Sequence, residues 1–207
     1  MVVERVLRRA AGTVFVMSVL ALVALPFAAG AQGPPVPTDK MVVQGSTVQE
    51  NSPNADAVVL TARMRTSTTE DLTLAVTLEC AITTRLTTMG NDSANALGDV
   101  KVWVTVDDVP VSVSGSDDGK VTFCDRNDAR QTSGFEPNET ITTTVSTVGA
   151  NGFNWVALNT GNGIHTIKVH ASLTGTSPSR QSEAKAAIGR RTLVVDATHA
   201  APNETLG

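Results

Sequence analysis

Apolar residues in this chain recur at every second position far more often than at helical spacing. Leu72, Leu74, Val76, Leu78, Cys80 and Ile82 alternate with Thr73, Ala75, Thr77, Glu79, Ala81 and Thr83. A helix would smear that apolar set around its circumference, whereas a pleated strand puts it on one face. The same period runs through Val58, Leu60, Ala62 and Met64, through Val100, Val102, Val104 and Val106, and through His165, Ile167, Val169, Ala171 and Leu173. Each reads as a strand with one buried and one wet face. Shorter strands are predicted from Met41 onward, over Lys120 to Cys124, over the Thr-rich run Ile141 to Val148, over Phe153 to Leu158, and over Ala184 to Val195, where Gly189 signals a bulge.

Turn residues separate these runs. Asp107-Asp108 sits between two Val-rich arms and predicts a tight hairpin, and Pro110 removes a donor from the second arm, which places that arm at a sheet edge. Asp118-Gly119 ends a second turn cluster. Asp125 to Glu139 reads as a long surface connection, Asn159 to Gly163 as a Gly/Asn loop from which the chain runs back, and Gly175 to Glu183 as a Ser-rich loop. About eight or nine strands with almost no helical periodicity predict an all-β chain, a two-sheet antiparallel β-sandwich of immunoglobulin-like architecture. In the final hairpin, Gly163-Ile164-His165-Thr166-Ile167 is similar to the penultimate strand of immunoglobulin-like modules in secreted bacterial proteins. The chain departs from true immunoglobulin domains in that Trp103 lies 23 residues past Cys80 and Tyr is absent.

The N-terminus follows a different pattern. Arg5, Arg8 and Arg9 form a positive start, Gly12 to Leu25 is an apolar run, and Ala29-Gly30-Ala31 has the small-x-small form of a cleavage site. Residues 1–31 read as a signal peptide cleaved near Ala31, because the apolar run falls short of the roughly 20 residues a spanning helix needs. Arg8-Arg9 is followed by Ala10-Ala11-Gly12, which favours the ordinary export route over a twin-arginine one. Residues 32–40, with Pro34, Pro35 and Pro37, form an extended linker, residues 41–196 a single sandwich domain, and residues 197–207 a tail. The mature chain is expected to be secreted or extracytoplasmic, with an extracellular or cell-envelope partner and no stable membrane insertion.

Three arginines and one glutamate leave with the leader, so the formal charge of -4 becomes -6, which argues against a nucleic-acid partner. Cys80 and Cys124 are the only cysteines. In an exported chain they are expected to form one structural disulfide, although Cys124 alternates with Val121 and Phe123 and should point away from the core, so that either a bulge corrects it or the bond joins strand ends.

Reactive chemistry is sparse. His165 and His170 are five apart on one strand and so face opposite ways, and His199 lies in the tail, so the three cannot share a metal. Acidic clusters at Asp107-Asp108, Asp117-Asp118 and Asp125-Arg126-Asn127-Asp128 could offer oxygens to calcium, but none follows a calcium-loop spacing and each suits a turn. No Gly-x-Ser-x-Gly nucleophile elbow occurs. No catalytic, cofactor or metal residue is assigned. Asn91, Asn138 and Asn203 open sequons that matter only in a eukaryotic source. Trp103, flanked by Lys101 and Thr105, is the aromatic predicted on a solvent-facing side and the candidate binding-surface residue, unless a second sheet or loop covers it. The expected function is a non-enzymatic surface-binding, adhesion or structural module; the alternative is a secreted hydrolase or carbohydrate-binding accessory domain.

Overall fold

Ten strands divide between two sheets in the computed structural model, which describes residues 39–50, 56–177 and 182–198. They are β1 (Lys40–Gly45), β2 (Gln49–Glu50), β3 (Asp56–Thr66), β4 (Glu70–Met89), β5 (Ser93–Val106), β6 (Val109–Pro110), β7 (Val121–Gln131), β8 (Thr140–Thr160), β9 (Gly163–Thr176) and β10 (Glu183–Thr198). The first sheet has the order β1-β10-β4-β8, with β2 also on β10; the second has β3-β9-β5-β6, with β7 also on β5. Every pairing is antiparallel.

Leaving aside the two-residue strands, the pairs β1 with β10, β3 with β9, β4 with β8 and β5 with β7 are nested one inside the next. A long antiparallel ribbon rolled over on itself produces this order, with successive pairs falling in alternate sheets. That is the jelly-roll form of the sandwich class. The two-sheet antiparallel architecture is the one the period-two pattern implies.

The predicted inward faces meet in the middle. Leu72, Leu74, Val76 and Leu78 of β4 pack with Val100, Val102 and Val104 of β5, Ile167 and Val169 of β9, and Leu193 and Val195 of β10. Burying each such side chain contributes about 1.5–3 kcal/mol. A smaller cluster of Leu86, Ala94, Ala96 and Ala184 lies apart from this core.

Register shifts occur in four places; one lies near the end of β8, between Ala157 and Thr160, and the other three change which side chains face inward. On β7 the register steps from Val100↔Cys124 to Lys101↔Thr122, so Phe123 is the extra residue. Phe123 is buried, and Cys124 also turns inward to bond Cys80, with Cα atoms 6.5 Å apart. The disulfide therefore ties β4 in one sheet to β7 in the other. On β3 a register shift between Val58 and Leu60 buries Val59 beside Leu60 and leaves Val58 outside, against the simple alternation. On β10 the shift between Ile188 and Arg191 spans the expected Gly189. Arg191 then points inward, and its guanidinium donates to the carbonyls of Val59, Thr47 and Gly189 at 2.9, 2.7 and 2.9 Å. Burial lowers the basicity of this arginine.

Two expectations about boundaries change. The runs Ile141 to Val148 and Phe153 to Leu158 belong to one strand of 21 residues, because β4 offers a continuous ladder from Leu72 to Met89 across Gly149 to Gly152. Asp125 to Gln131 extends β7, where a surface connection was expected. The chain does run back after Asn159, but β9 pairs with β3 and β5, so the link from β8 crosses between sheets and closes no hairpin.

Candidate functional site

Because β8 ends the first sheet and β6 and β7 end one side of the second, the sandwich has a lateral seam between these edges. Side chains from both sheets line it, and its character changes along its length. At one end, inward residues of β7 reach inward hydroxyls of β8. Arg126 hydrogen-bonds Thr147, Arg130 hydrogen-bonds Thr143, and Asp128 accepts from Thr84 and, at 2.5 Å, from Arg126 Nε. The Arg126 hydrogen bond holds the Asp128 carboxyl below its ordinary value. Midway, Asn151 donates to the Phe123 carbonyl at 2.6 Å beside a cavity of about 230 Å³ that the disulfide borders.

The other end is apolar. Val156, Ala157 and Leu158 from the end of β8 face Val109, Pro110 and Val111 from the second arm of the hairpin across an open groove of about 430 Å³. Val109 is 66% exposed and Leu158 63% exposed, which is unusual for aliphatic side chains brought together. Asp107 and Asp108 both take positive φ, 51° and 67°, as a two-residue hairpin turn requires. This geometry aims Asp107 at the groove floor. His165 Nδ1 lies 2.7 Å from the Asp107 carboxylate, its Nε2 lies 2.8 Å from the Gly161 carbonyl, and the Thr166 N–H donates to Asp107 at 2.8 Å. Burial pushes the Asp107 carboxyl up, but the Thr166 and His165 hydrogen bonds outweigh it and leave the group below its ordinary value. Thr66 Oγ1 is 3.2 Å from His165 Nε2, yet its hydroxyl donates to the Gly161 carbonyl at 2.6 Å and the residue is buried. The Asp–His–Thr contact therefore pins the β8–β9 link to the hairpin, with its hydroxyl committed to backbone.

The predicted site residues lie elsewhere or are covered. Trp103 does point outward, but only 8% of it is exposed. His170 stacks on it with ring centroids 5.1 Å apart, and the Lys120 ammonium sits 4.9 Å from its ring centroid. The expectation of a solvent-facing aromatic is thus corrected: cross-strand neighbours cover the ring. His170 is correspondingly no solvent-exposed side chain. Burial lowers its pKa, and its Nε2 lies 3.1 Å from the Thr105 hydroxyl. His165 and His170 occupy opposite faces, and His199 and Asn203 fall outside the described residues.

The acidic turns use their carboxylates internally: Asp108 on Lys168 at 2.5 Å, and Asp118 on Ser116 at 2.7 Å and Lys120 at 3.4 Å. Asp117 is exposed in its turn. Asp99, across the strand pair from Asp125, has its carboxyl raised by burial. Among the described residues no three of His, Cys, Asp and Glu come together in a group able to hold a metal.

What sequence reasoning missed is the seam itself. The local trace of it was the composition of β8, TITTTVSTVGANGFNWVALNT, which contains no charged residue, histidine or proline.

No family model matches this chain, and no curated protein matches it. A solved structure described as "Structure of infectious bursal disease virus Gx strain" is similar at 13% identity over 79% of this chain and 39% of that one, with a TM-score of 0.26. The chain thus spans about two-fifths of the length of that neighbour. The class defined by fold and site is a disulfide-tied jelly-roll sandwich with an open seam on one side.

Proposed function

We propose that this chain is a secreted, non-enzymatic binding module of the cell exterior or envelope, which takes an extended segment of a protein partner along β8. The observation that carries this reading is an uncharged edge strand of 21 residues running beside a groove between the two sheets. Strand addition uses two kinds of contact. Free backbone groups at a sheet edge give affinity, and pockets for alternate side chains give specificity. The β8 edge offers the first, and the Val109–Leu158 groove offers the second. The single disulfide and the leader-like residues 1–31 support an oxidising compartment. Among the described residues no helix is long and apolar enough to cross a membrane. A mature charge of -6 supports a protein partner over a nucleic acid.

Selection of a displayed library of nine-residue peptides against the mature protein tests this reading. The expected result is enrichment of peptides with alternating apolar residues, whose affinity falls about tenfold or more in Val109→Asp and Leu158→Asp while thermal stability is kept. The contrary result is a hit on a glycan array or a chromogenic substrate panel that is lost in Trp103→Ala and untouched by the groove variants. That outcome would favour the accessory-domain or hydrolase reading.

A further inference from the structure

We infer that the strand received along β8 is β8 of a second copy of this chain, paired antiparallel about a two-fold axis through its Thr-rich half. The inference rests on the strand-addition reading and names its partner.

The edges of the two sheets differ in how they are protected. Strands at an edge normally carry charge, proline or a bulge, or are very short, which prevents edge-to-edge pairing. Among the described residues, β1 has six residues and begins at Lys40, β2 has only two, and β6 has two and includes Pro110. The β3 edge carries Arg63, Arg65 and a bulge, and the β7 edge carries Asp125, Arg126, Asp128 and Arg130. Although β8 is the longest strand, it carries neither charge nor proline, and its one bulge, between Ala157 and Thr160, lies at the end away from the Thr-rich half. A two-fold axis brings each strand against its own copy, so an edge with charges near the axis meets like charge. The β8 edge is the one that can meet itself without that cost.

The side chains also suit self-pairing. On the outer face of β8, the residues opposite the outward residues of β4 are Thr140, Thr142, Thr144, Ser146 and Val148, all exposed, with Val148 at 64%. Any antiparallel register that keeps the two outer faces on the same side sets hydroxyl or valine against hydroxyl or valine. The same chemistry already joins β8 to β4 within one molecule, where Thr83 pairs with Ser146 at 3.0 Å and Thr87 with Thr142 at 3.1 Å. Cross-strand threonine and serine pairs are favourable, and a second β8 extends these rows by one strand. The first sheet then continues into the first sheet of the partner copy.

Sedimentation velocity of the mature protein over micromolar to millimolar concentration provides the test. Two variants accompany it, Thr144→Glu/Val148→Glu and Thr144→Lys/Val148→Lys, whose folding is checked by circular dichroism. Wild type is expected to dimerise with rising concentration. Each variant alone should dimerise at least about tenfold more weakly, because like charges meet across the axis. An equimolar mixture of the two should recover the dimer, which also shows that both variants are folded. A wild type that stays monomeric throughout overturns the second copy as occupant, while the peptide selection above separately decides whether the edge accepts a foreign strand. A dimer that persists in both variants places the interface elsewhere and equally overturns the inference.

Discussion

Replacing Cys80 and Cys124 together by alanine is expected to lower the unfolding free energy by about 4 kcal/mol, the chain-entropy value for closing a loop of this length. The two residues are 44 apart in sequence and join strands of different sheets that do not pair with each other. Without the bond, β7 is held to the first sheet by Val121 and Phe123 packing on the core, the Asn151 side chain on the Phe123 carbonyl, and the Arg126, Arg130 and Asp128 hydrogen bonds. Urea unfolding of oxidised wild type and the double variant checks this, with the midpoint read together with the slope, since releasing the cross-link also expands the denatured chain. A loss below about 1 kcal/mol would mean that the unfolded chain is not restrained by this loop as the entropy argument requires.

Trp155→Ala should cost about 3–5 kcal/mol, the range for truncating a large buried aromatic. Trp155 is fully buried on the inward face of β8. Its ring meets Phe153 edge to face with centroids 4.8 Å apart and lies parallel to Phe123 at 6.2 Å. Its indole N–H donates to the Gly119 carbonyl at 2.8 Å. Gly119 is itself fixed: its φ is +68°, and a Cβ there would lie 2.1 Å from the Val111 carbonyl oxygen. The tryptophan thus anchors the groove end of β8 to the turn before β7. Trp155→Phe keeps most of the ring but leaves the Gly119 carbonyl unpaired, so about 1–3 kcal/mol of the loss should remain. Chemical denaturation of the two variants checks the order, and equal losses for Phe and Ala would contradict the packing part of the argument.

Much of the fold is legible from local pattern because the inner strands bury one face. Leu72 to Ile82 and Ile167 to Leu173 alternate as they do because β4 and β9 each have a strand on both sides and a sheet across the core. Edge strands have weaker constraints. Asp125 to Gln131 alternates between solvent and a polar seam, so no apolar period marks it, and its neighbour Ser93 to Asp99 uses Ala94, Ala96 and Gly98 inside, too small to stand out. Gly149-Ala150-Asn151-Gly152 looks like a break by propensity, but the ladder offered by β4 overrides it.

The candidate site was less legible for a different reason. Which strands end a sheet depends on how the ribbon rolls, and that order is a property of long-range pairing. The neutrality of Thr140 to Thr160 is visible in the sequence, but it gains meaning only once β8 is known to have β4 on one side and no described strand on the other. Trp103 shows the reverse error. Periodicity assigns its direction correctly, but facing outward does not mean exposed when His170 and Lys120 lie over the ring.

Whether β8 is an open edge can be read residue by residue from amide hydrogen exchange of the dilute protein, followed by NMR. In an antiparallel edge strand, alternate amides point to the neighbour and the rest point away. An open edge gives period-two protection along Thr140 to Ala157, slow at amides bonded to β4 and fast at those between, with uniformly slow exchange in the cores of β4 and β9. Uniform protection along β8 at concentrations where the protein sediments as a monomer would contradict it.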